Sequence, residues 1–422
     1  MSDTAPDGPD ASGPDAPGLD ALGGEPPVLG VVGGGQLGRM LAEAAAPLGV
    51  AVVVLDPTPD CPAATVADDQ VVGDFDDPDA VARLAERADV LTVEIELADP
   101  DLLARVREEY GVPVHPDPES VRVARDKLVE KRALADAGIP VPDFRAVDGP
   151  DDLRAALEDL GAPLMLKARR GGYDGRGNAP VERVADAEAA FDDLEGFVAE
   201  RMVDFERELS AIGVRGAGDA PPSGGDGDAT ADGDGAVLDA FPVVENVHRA
   251  EILRETVAPA RTAPAVRERA RETVLDVLGV LSGRGVFGVE LFETADGQIL
   301  VNEIAPRPHN SGHYTIEGAD TSQFAQHVRA VLGAPLGSSD LRAPAAMANV
   351  LGDVDEPVPA RLTGAHGVLA APRAALHWYG KREARPLRKM GHLTAVAAPD
   401  EGEDAADALE RVTTLRDGLT FQ

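Results

Sequence analysis

A single cysteine, Cys61, is the only thiol in the 422-residue chain. One cysteine forms neither an internal disulfide nor a cysteine-based zinc site, so the thiol content gives no sign of an oxidising compartment. Lysine is nearly missing too: Lys127, Lys131, Lys167, Lys381 and Lys389 are the only five. Basic charge is short overall, 39 Lys and Arg against 75 Asp and Glu, for a formal net charge of -36. A surface of that sign repels nucleic acid and anionic membranes and argues against both as partners. No apolar run approaches the roughly 20 residues of a membrane span. The opening MSDTAPDGPDASGPDAPG has neither the basic stretch nor the apolar core of an export signal. A cytoplasmic protein is the expectation.

The acidity is spread through the chain. The residues before Pro26 carry six acids and no base, and the stretch GAGDAPPSGGDGDATADGDG carries five and none, so most of the excess lies elsewhere. The Pro/Gly/Asp-rich tail at 1–26 is expected to be disordered, with a second acidic insertion near 216–235. The charge on the remainder reads as solvation adapted to high salt, of a haloarchaeal-like kind. In a chain so poor in lysine, each one retained is a candidate for a function. Lys131, inside KLVEKRALADAG, is equally readable as a plain helix-surface residue.

The length and a 44% hydrophobic content suit two to four small domains. From Val28 to Pro118, apolar runs at 28–32, 51–55, 89–95 and 112–114 alternate with helical periodicity, which predicts a parallel α/β sheet. A helix is expected at 120–137. Beyond it come a helix over DDLRAALEDLG and short strands around PLMLKARR and FVAERMV. Residues 208–305 read as antiparallel strands interrupted by the helix APAVRERARETVLDVLG. The last 80 or so residues carry AMANVLGD, ALHWYGK and a closing helix.

Three motifs carry chemistry. Gly33-Gly34-Gly35-Gln36-Leu37-Gly38, after a strand and with Asp56 ending the next one, fits the dinucleotide fingerprint G-x-G-x-x-G. The fingerprint reports a tight turn and a helix N-terminus that favours an anion, without naming the anion. The second motif, LKARRGGYDGRGN, places Lys167 at a strand end before a loop with Gly171, Gly172, Gly175 and Gly177. Such a loop brings backbone N–H groups close to phosphate oxygens while the lysine supplies a point charge, as a nucleoside triphosphate requires. Some 30 residues on, Glu200-Arg201-Met202-Val203 offers backbone to an adenine edge, and Glu208 is placed to accept from ribose hydroxyls. In the third, GVFGVELFETADGQILVNEIAPRPHNSGHYT, a hairpin turning at Asp296-Gly297 sets Glu290 and Glu303 on paired strands with Asn302 beside them. That oxygen set suits Mg²⁺, or Mn²⁺, bridging phosphates.

Taken in order, these elements resemble the ATP-grasp fold. Together, GGGQLGRML, RRGGYDGRG, VVENVHR, NEIAPRPHNSGHYT and LHWYGK with RPLRKMGHL are similar to the N5-carboxyaminoimidazole ribonucleotide synthetase family, from about Val28 to His392. The resemblance implies an α/β fold, α+β overall: a Rossmann-like preATP-grasp domain at 27–119, an ATP-grasp domain at 120–340 with a lid at about 142–207, and a small β-rich C-terminal domain at 341–422. It implies an ATP-dependent ligase of purine (IMP) biosynthesis, in which ATP phosphorylates bicarbonate to carboxyphosphate and the released CO₂ is captured by 5-aminoimidazole ribonucleotide. A homodimer is typical of the family.

Site roles follow from the same resemblance. ATP would contact Lys127, Lys167, the loop Gly172, Tyr173, Asp174, Gly175, Arg176, Gly177 and Asn178, the hinge Glu200, Arg201, Met202 and Val203, then Glu208, His248, Asn302 and Glu303. Magnesium would sit on Glu290 and Glu303. The ribonucleotide would meet Gln36, Leu37, Tyr173, Asp174 and Arg176, with Lys381 and Arg388 at its 5′-phosphate. Arg307, His309 and Asn310 would line the carboxyphosphate pocket, while His313 reads equally as a structural hydrogen-bonder. Three positions depart from the family pattern: Lys127 replaces an arginine, Leu97 follows Glu94 and Glu96 where asparagine is common, and Leu387 replaces glycine. Two other readings stay open, another ATP-grasp ribonucleotide-amine ligase such as the formate-dependent glycinamide ribonucleotide transformylase, and a nucleotide-binding regulator without turnover. A dehydrogenase is disfavoured, because nothing after residue 120 resembles its catalytic domain.

Overall fold

Val28–Val32 and Ala51–Asp56 are apolar runs buried along nearly their whole length, as strands covered on both faces must be. They pair in parallel and, in the order Asp69–Val72, Ala51–Asp56, Val28–Val32, Val90–Val93, make a four-stranded parallel sheet. Helices Gln36–Ala45, Pro78–Ala85 and Pro100–Tyr110 accompany it. The structure, a computed structural model, describes residues 25–171, 177–218, 230–231 and 235–422. Asp69–Val72 is an edge strand with only one buried residue, and its sequence carries no apolar run to announce it. Residues 112–114, expected to be a strand, make a single parallel bridge from Val114 to Leu91. Pro113 has no N–H to give a ladder.

The helix expected at 120–137 is two helices, Pro118–Arg125 and Lys127–Asp136. Asp126 separates them with extended backbone, and its carboxylate accepts the N–H groups of Leu128 and Val129, capping the second helix. A four-stranded antiparallel sheet follows, in the order Phe144–Val147, Phe197–Arg201, Leu164–Ala168, Asn178–Val181, with helices Pro150–Leu160 and Val184–Ala190. It has its own apolar cluster, including Leu153, Leu164, Leu166 and Phe197.

The largest sheet is built around Phe205–Gly216, which pairs with Val237–Ala240, Val244–Arg249 and Gly285–Thr294. Among the described residues Ile299–Ala305 pairs only with Gly285–Thr294. Past Val244–Arg249 the sheet continues through Ile252–Ala258, Ala345–Leu351, Lys389–Val396 and Ala374–Trp378. The C-terminal strands therefore extend this sheet while enclosing a separate apolar cluster with helix Ala405–Asp417. Helix Pro264–Val280 packs on the sheet through buried Val274, Val277 and Leu278.

Helix Gln323–Val331 joins the first sheet to the large one, since Phe324, Val328 and Val331 share a core with Leu37, Met40 and Leu41. His327 on this helix is fully buried. The Val286 N–H donates to its Nδ1 at 3.1 Å, so Nε2 carries the proton and donates to Thr92 Oγ1 at 2.7 Å. Burial pushes its pKa down to about 3 and keeps the ring neutral. No helix among the described residues is long and apolar enough to cross a membrane.

Candidate active site

Glu290 and Glu303 are direct cross-strand partners. The next pair is Leu291 with Val301, so Asn302 is the extra residue of a β-bulge. Adjacent residues of a regular strand point to opposite faces; the bulge lets Asn302 and Glu303 serve one side. Asn302 Nδ2 donates to Glu290 Oε2 at 3.4 Å. One strand over, Ser210 is paired with Glu290, and the nearby Glu208 carboxylate pairs with His248 Nδ1.

Lysines face this acidic row. Lys127, the first residue of its helix, donates to Glu303 Oε2 at 2.5 Å. Lys167 donates to Glu200 Oε2 and to Asn302 Oδ1, both at 2.9 Å. Burial alone pulls the Lys127 pKa down, but the Glu303 and Glu130 carboxylates hold its ammonium above the ordinary lysine range. Burial likewise raises Glu303, and Lys127 outweighs it, leaving Glu303 ionised. Glu290 is pushed up by burial and by Glu303 and Glu208, with His248 opposing. Carboxylates gathered this closely raise one another's pKa, and a further cation among them favours their charged forms. Among the described residues no three His, Cys, Asp or Glu side chains enclose a metal. Two carboxylates and an amide are the partial oxygen set that Mg²⁺ completes with water and phosphate.

The strand Phe197–Arg201 carries Glu200 and Arg201, the first two residues of the expected hinge. Glu200 is buried, whereas the Arg201 side chain leaves the cleft to donate to Asp143 Oδ2 at 3.0 Å, so at this position only backbone is on offer. Met202 is exposed, and Phe205 stacks on Phe292 with ring centroids 4.9 Å apart. Across the small sheet Asn178 is the direct partner of Lys167, and Gly177 accepts from the Ala168 N–H at 2.8 Å. Gly172, Tyr173, Asp174, Gly175 and Arg176 lie outside the described residues, as does most of the acidic insertion. Where the chain enters this loop, Arg169 grips Asp126 with two bonds of 2.9 and 2.8 Å, and Arg170 adds a third at 3.1 Å.

The first glycine loop is arranged unlike a dinucleotide site. Asp56 accepts the Gly34 N–H at 3.0 Å and the Thr58 N–H at 2.8 Å, so it is turned onto its own loop. Glu94 accepts the Gly35 N–H at 2.6 Å. A Cβ on Gly33, at φ +112°, would come within 2.4 Å of Glu94 Cγ, so only glycine admits the acid there. Burial raises the Glu94 pKa to about 7, with the Gly35 N–H and Arg307 opposing. Lys381 Nζ crosses from the C-terminal region to donate to Gln36 Oε1 at 2.9 Å. The Leu37 side chain is packed into the core, so at this position the backbone faces the loop. Arg388 donates to the Glu383 carbonyl at 3.0 Å in the same 381–389 segment as Lys381.

Beyond the end of the strand Ile299–Ala305, the Arg307 guanidinium pairs with Glu96, linking the two halves of the cleft. His309 Nε2 lies 3.4 Å from Glu290 Oε1, and its Nδ1 lies 2.9 Å from Ser311 Oγ. Gly288 makes room: a Cβ there would sit 2.5 Å from that of His309. Asn310 is engaged differently from the expectation. Its amide and that of Asn349 bond each other reciprocally at 3.1 and 2.6 Å, so it braces the pocket from behind. His313 is fully buried, with Nδ1 3.2 Å from Gln323 Nε2 and its ring 4.6 Å from that of His392, which fits the structural option.

The sequence reading leaves Glu94 and Glu96 without roles and divides on Lys131; the structure puts all three at or directly behind the cleft. Lys127, Glu130, Lys131 and Leu134 follow i, i+3, i+4, i+7 and are all buried. That spacing is the core-facing stripe of a helix, here filled largely by charge, and it is the signal that identifies Lys131. None of the five lysines is exposed.

Comparison with known proteins adds three family matches: the ATP-grasp domain over residues 132–324, the ribonucleotide synthetase preATP-grasp domain over 27–125, and the phosphoribosylaminoimidazole carboxylase C-terminal domain over 345–406. The chain is 37% identical to the N5-carboxyaminoimidazole ribonucleotide synthase of Bacillus subtilis, covering 89% of this chain and 92% of that one. It is 40% identical to the chloroplastic phosphoribosylaminoimidazole carboxylase of Vigna aconitifolia, covering 88% of this chain but only 64% of the plant protein. Among solved structures, the Aspergillus clavatus N5-carboxyaminoimidazole synthase in complex with ADP and 5-aminoimidazole ribonucleotide superposes with a TM-score of 0.79 at 35% identity, covering 93% of this chain and 99% of that one.

Proposed function

The chain belongs to the N5-carboxyaminoimidazole ribonucleotide synthase family, and we propose that its cleft brings ATP, bicarbonate and 5-aminoimidazole ribonucleotide together around the Arg307–Glu96 ion pair. It is an ATP-grasp ligase that carboxylates 5-aminoimidazole ribonucleotide in purine biosynthesis. Arg307 carries the finer reading, because it stands where the strand bearing Asn302 and Glu303 meets the glycine loop that Glu94 and Gln36 line.

In this reading ATP lies between the small sheet and the large one. Glu200, Arg201, Met202 and Val203 present backbone to adenine, Glu208 and His248 receive the ribose, and Lys127 and Lys167 meet the phosphates. Glu290 and Glu303, with Asn302, hold Mg²⁺, which when bound neutralises phosphate charge. Lys127 and Lys167 now bond Glu303 and Asn302, so the cations of the site are held in place before nucleotide arrives. Arg307 clamps bicarbonate and the acyl phosphate bidentately, which lysine does not do, while His309 orients the same group. The phosphate of the ribonucleotide goes to Lys381 and Arg388, and its amine turns toward the Arg307 end. Burial behind Glu94 and Glu96 keeps water from the labile intermediate. Residues 27–119, 120–340 and 341–422 serve as the ribonucleotide, nucleotide and closing domains, with 142–207 as lid. A cytoplasmic homodimer and adaptation to high salt complete the reading, the last supported by the net charge of -36.

The test is ADP release from ATP and Mg²⁺ in molar KCl with bicarbonate, with and without 5-aminoimidazole ribonucleotide. Strong stimulation by the ribonucleotide, absent when formate replaces bicarbonate, is expected. Release indifferent to the ribonucleotide overturns the arrangement.

A further inference from the structure

We propose that Lys131 is a positioning residue for ATP-dependent turnover, fixing the gap between the strand that carries Asn302 and Glu303 and the strand that carries Glu200. The inference rests on the reading of this cleft as the ATP site.

Lys131 is fully buried in a chain with five lysines. Burying an ammonium is costly, and an apolar side chain of similar volume commonly serves stability as well or better. Its contacts say what the charge is for. Nζ donates to the carbonyls of Asn302 at 2.8 Å and Val301 at 3.1 Å, and faces Glu200 Oε1 at 3.6 Å. The other Glu200 oxygen is held by Lys167, which also holds the Asn302 side chain. The four residues thus form a closed ring: Lys131 to the Asn302 backbone, the Asn302 amide to Lys167, Lys167 to Glu200, and Glu200 back to Lys131.

The place of the ring in the fold gives it leverage. Among the described residues Ile299–Ala305 pairs with one strand only, and no second strand there fixes its outer edge. That edge is met instead by Pro140 O, which accepts the Val301 N–H at 2.8 Å, by Glu130 Oε2, which accepts the Ile304 N–H at 3.0 Å, and by Lys131. Of these only Lys131 also reaches the hinge strand. It therefore sets how far the adenine side of the cleft stands from the metal side, without touching nucleotide itself.

The experiment is steady-state kinetics on the full-length protein carrying Lys131→Met, which keeps side-chain length and removes the charge. The expected result is a rise of about tenfold or more in the KM for ATP and in the half-saturating Mg²⁺ concentration, the scale of one charge-assisted hydrogen bond. The KM for 5-aminoimidazole ribonucleotide should stay within about twofold, a split that a general loss of stability does not produce. An ATP KM within about twofold of the parent, measured well below the variant's Tm, overturns the proposal even if Tm falls. Should Lys131→Met not fold, Lys131→Gln, which still donates to a carbonyl but does not reach Glu200, is judged by the same numbers. A parent protein that shows no saturation by ATP overturns the reading of the cleft itself, whereas normal parent saturation with an unchanged variant overturns only the role of Lys131.

Discussion

Lys127 and Glu303 stand 176 residues apart in sequence and meet at 2.5 Å, the first residue of a helix against the residue after a bulge. The pair holds a cation and an anion ready at the place where phosphate and metal would each claim one of them. Glu303→Gln keeps the shape and deletes the anion. ADP formation is expected to fall by at least about 100-fold, the scale of removing one preorganised electrostatic contact, with the circular dichroism of the fold retained. Turnover near the parent's with an unchanged Mg²⁺ requirement would show that Glu303 is no ligand.

Glu94 gives a pH dependence with a definite sign. Its folded pKa is raised to about 7 by burial, above the ordinary carboxylate value of 4.5. The folded state therefore binds more protons than the unfolded one between those values, and stability from this group falls as pH rises through the window, by about 3 kcal/mol in all. Glu94→Gln should remove that slope: variant and parent melt alike near pH 4.5, and the variant melts higher at pH 8. Parallel melting curves across the range would refute the assignment.

Leu387 adopts φ +61°, the left-handed region, with its side chain substantially exposed. A non-glycine residue there costs about 1–2 kcal/mol, and glycine loses about 0.5–1 kcal/mol in extra chain entropy. The first effect wins. Leu387→Gly is expected to raise the denaturant midpoint by roughly 0.5–1 kcal/mol equivalent, and a lowered midpoint would mean that the leucine side chain has a packing role outweighing its strain.

The net charge of -36 predicts that salt stabilises the fold, because screening shortens the range of repulsion from about 10 Å at 0.1 M to about 3 Å at 1 M. Tm should climb steadily from low to molar KCl, and a flat profile in a calorimeter would remove the case for salt adaptation.

Much of this was legible in residue order, and what escaped did so for definable reasons. Glu290 and Glu303 are visible as a hairpin because apolar neighbours bracket them. That Asn302 and Glu303 share a face is not visible, since alternation forbids it and a bulge leaves no mark in composition. The break at Asp126 hides inside uninterrupted helical periodicity, although an aspartate before KLVE is a capping signal. The pairing of Lys381 with Gln36 spans 345 residues and depends on how separate elements close on each other. The glycine loop reads as an anion site, yet its N–H groups at Gly34 and Gly35 are taken by the chain's own acids, a tertiary choice that overrides a local signal. Lys131 was recoverable from its helical phase, had charge been allowed on a core-facing stripe.

The lysine distribution has a practical side. Every lysine is buried or half-buried, and four of the five make their contacts within or directly behind the cleft or the glycine-loop contact with Gln36. Amine-directed reagents, which decorate the outside of most proteins indiscriminately, find no fully exposed lysine here: Lys127, Lys131 and Lys167 are buried, and Lys381 and Lys389 are half-buried. Site-resolved acylation thereby becomes a footprint of the cleft: its rate at Lys127 and Lys167 should report nucleotide occupancy, and its rate at Lys381 the ribonucleotide's. Coupling through lysine to a surface should inactivate the molecule in proportion to the label it takes up, whereas coupling through its abundant carboxylates should spare it.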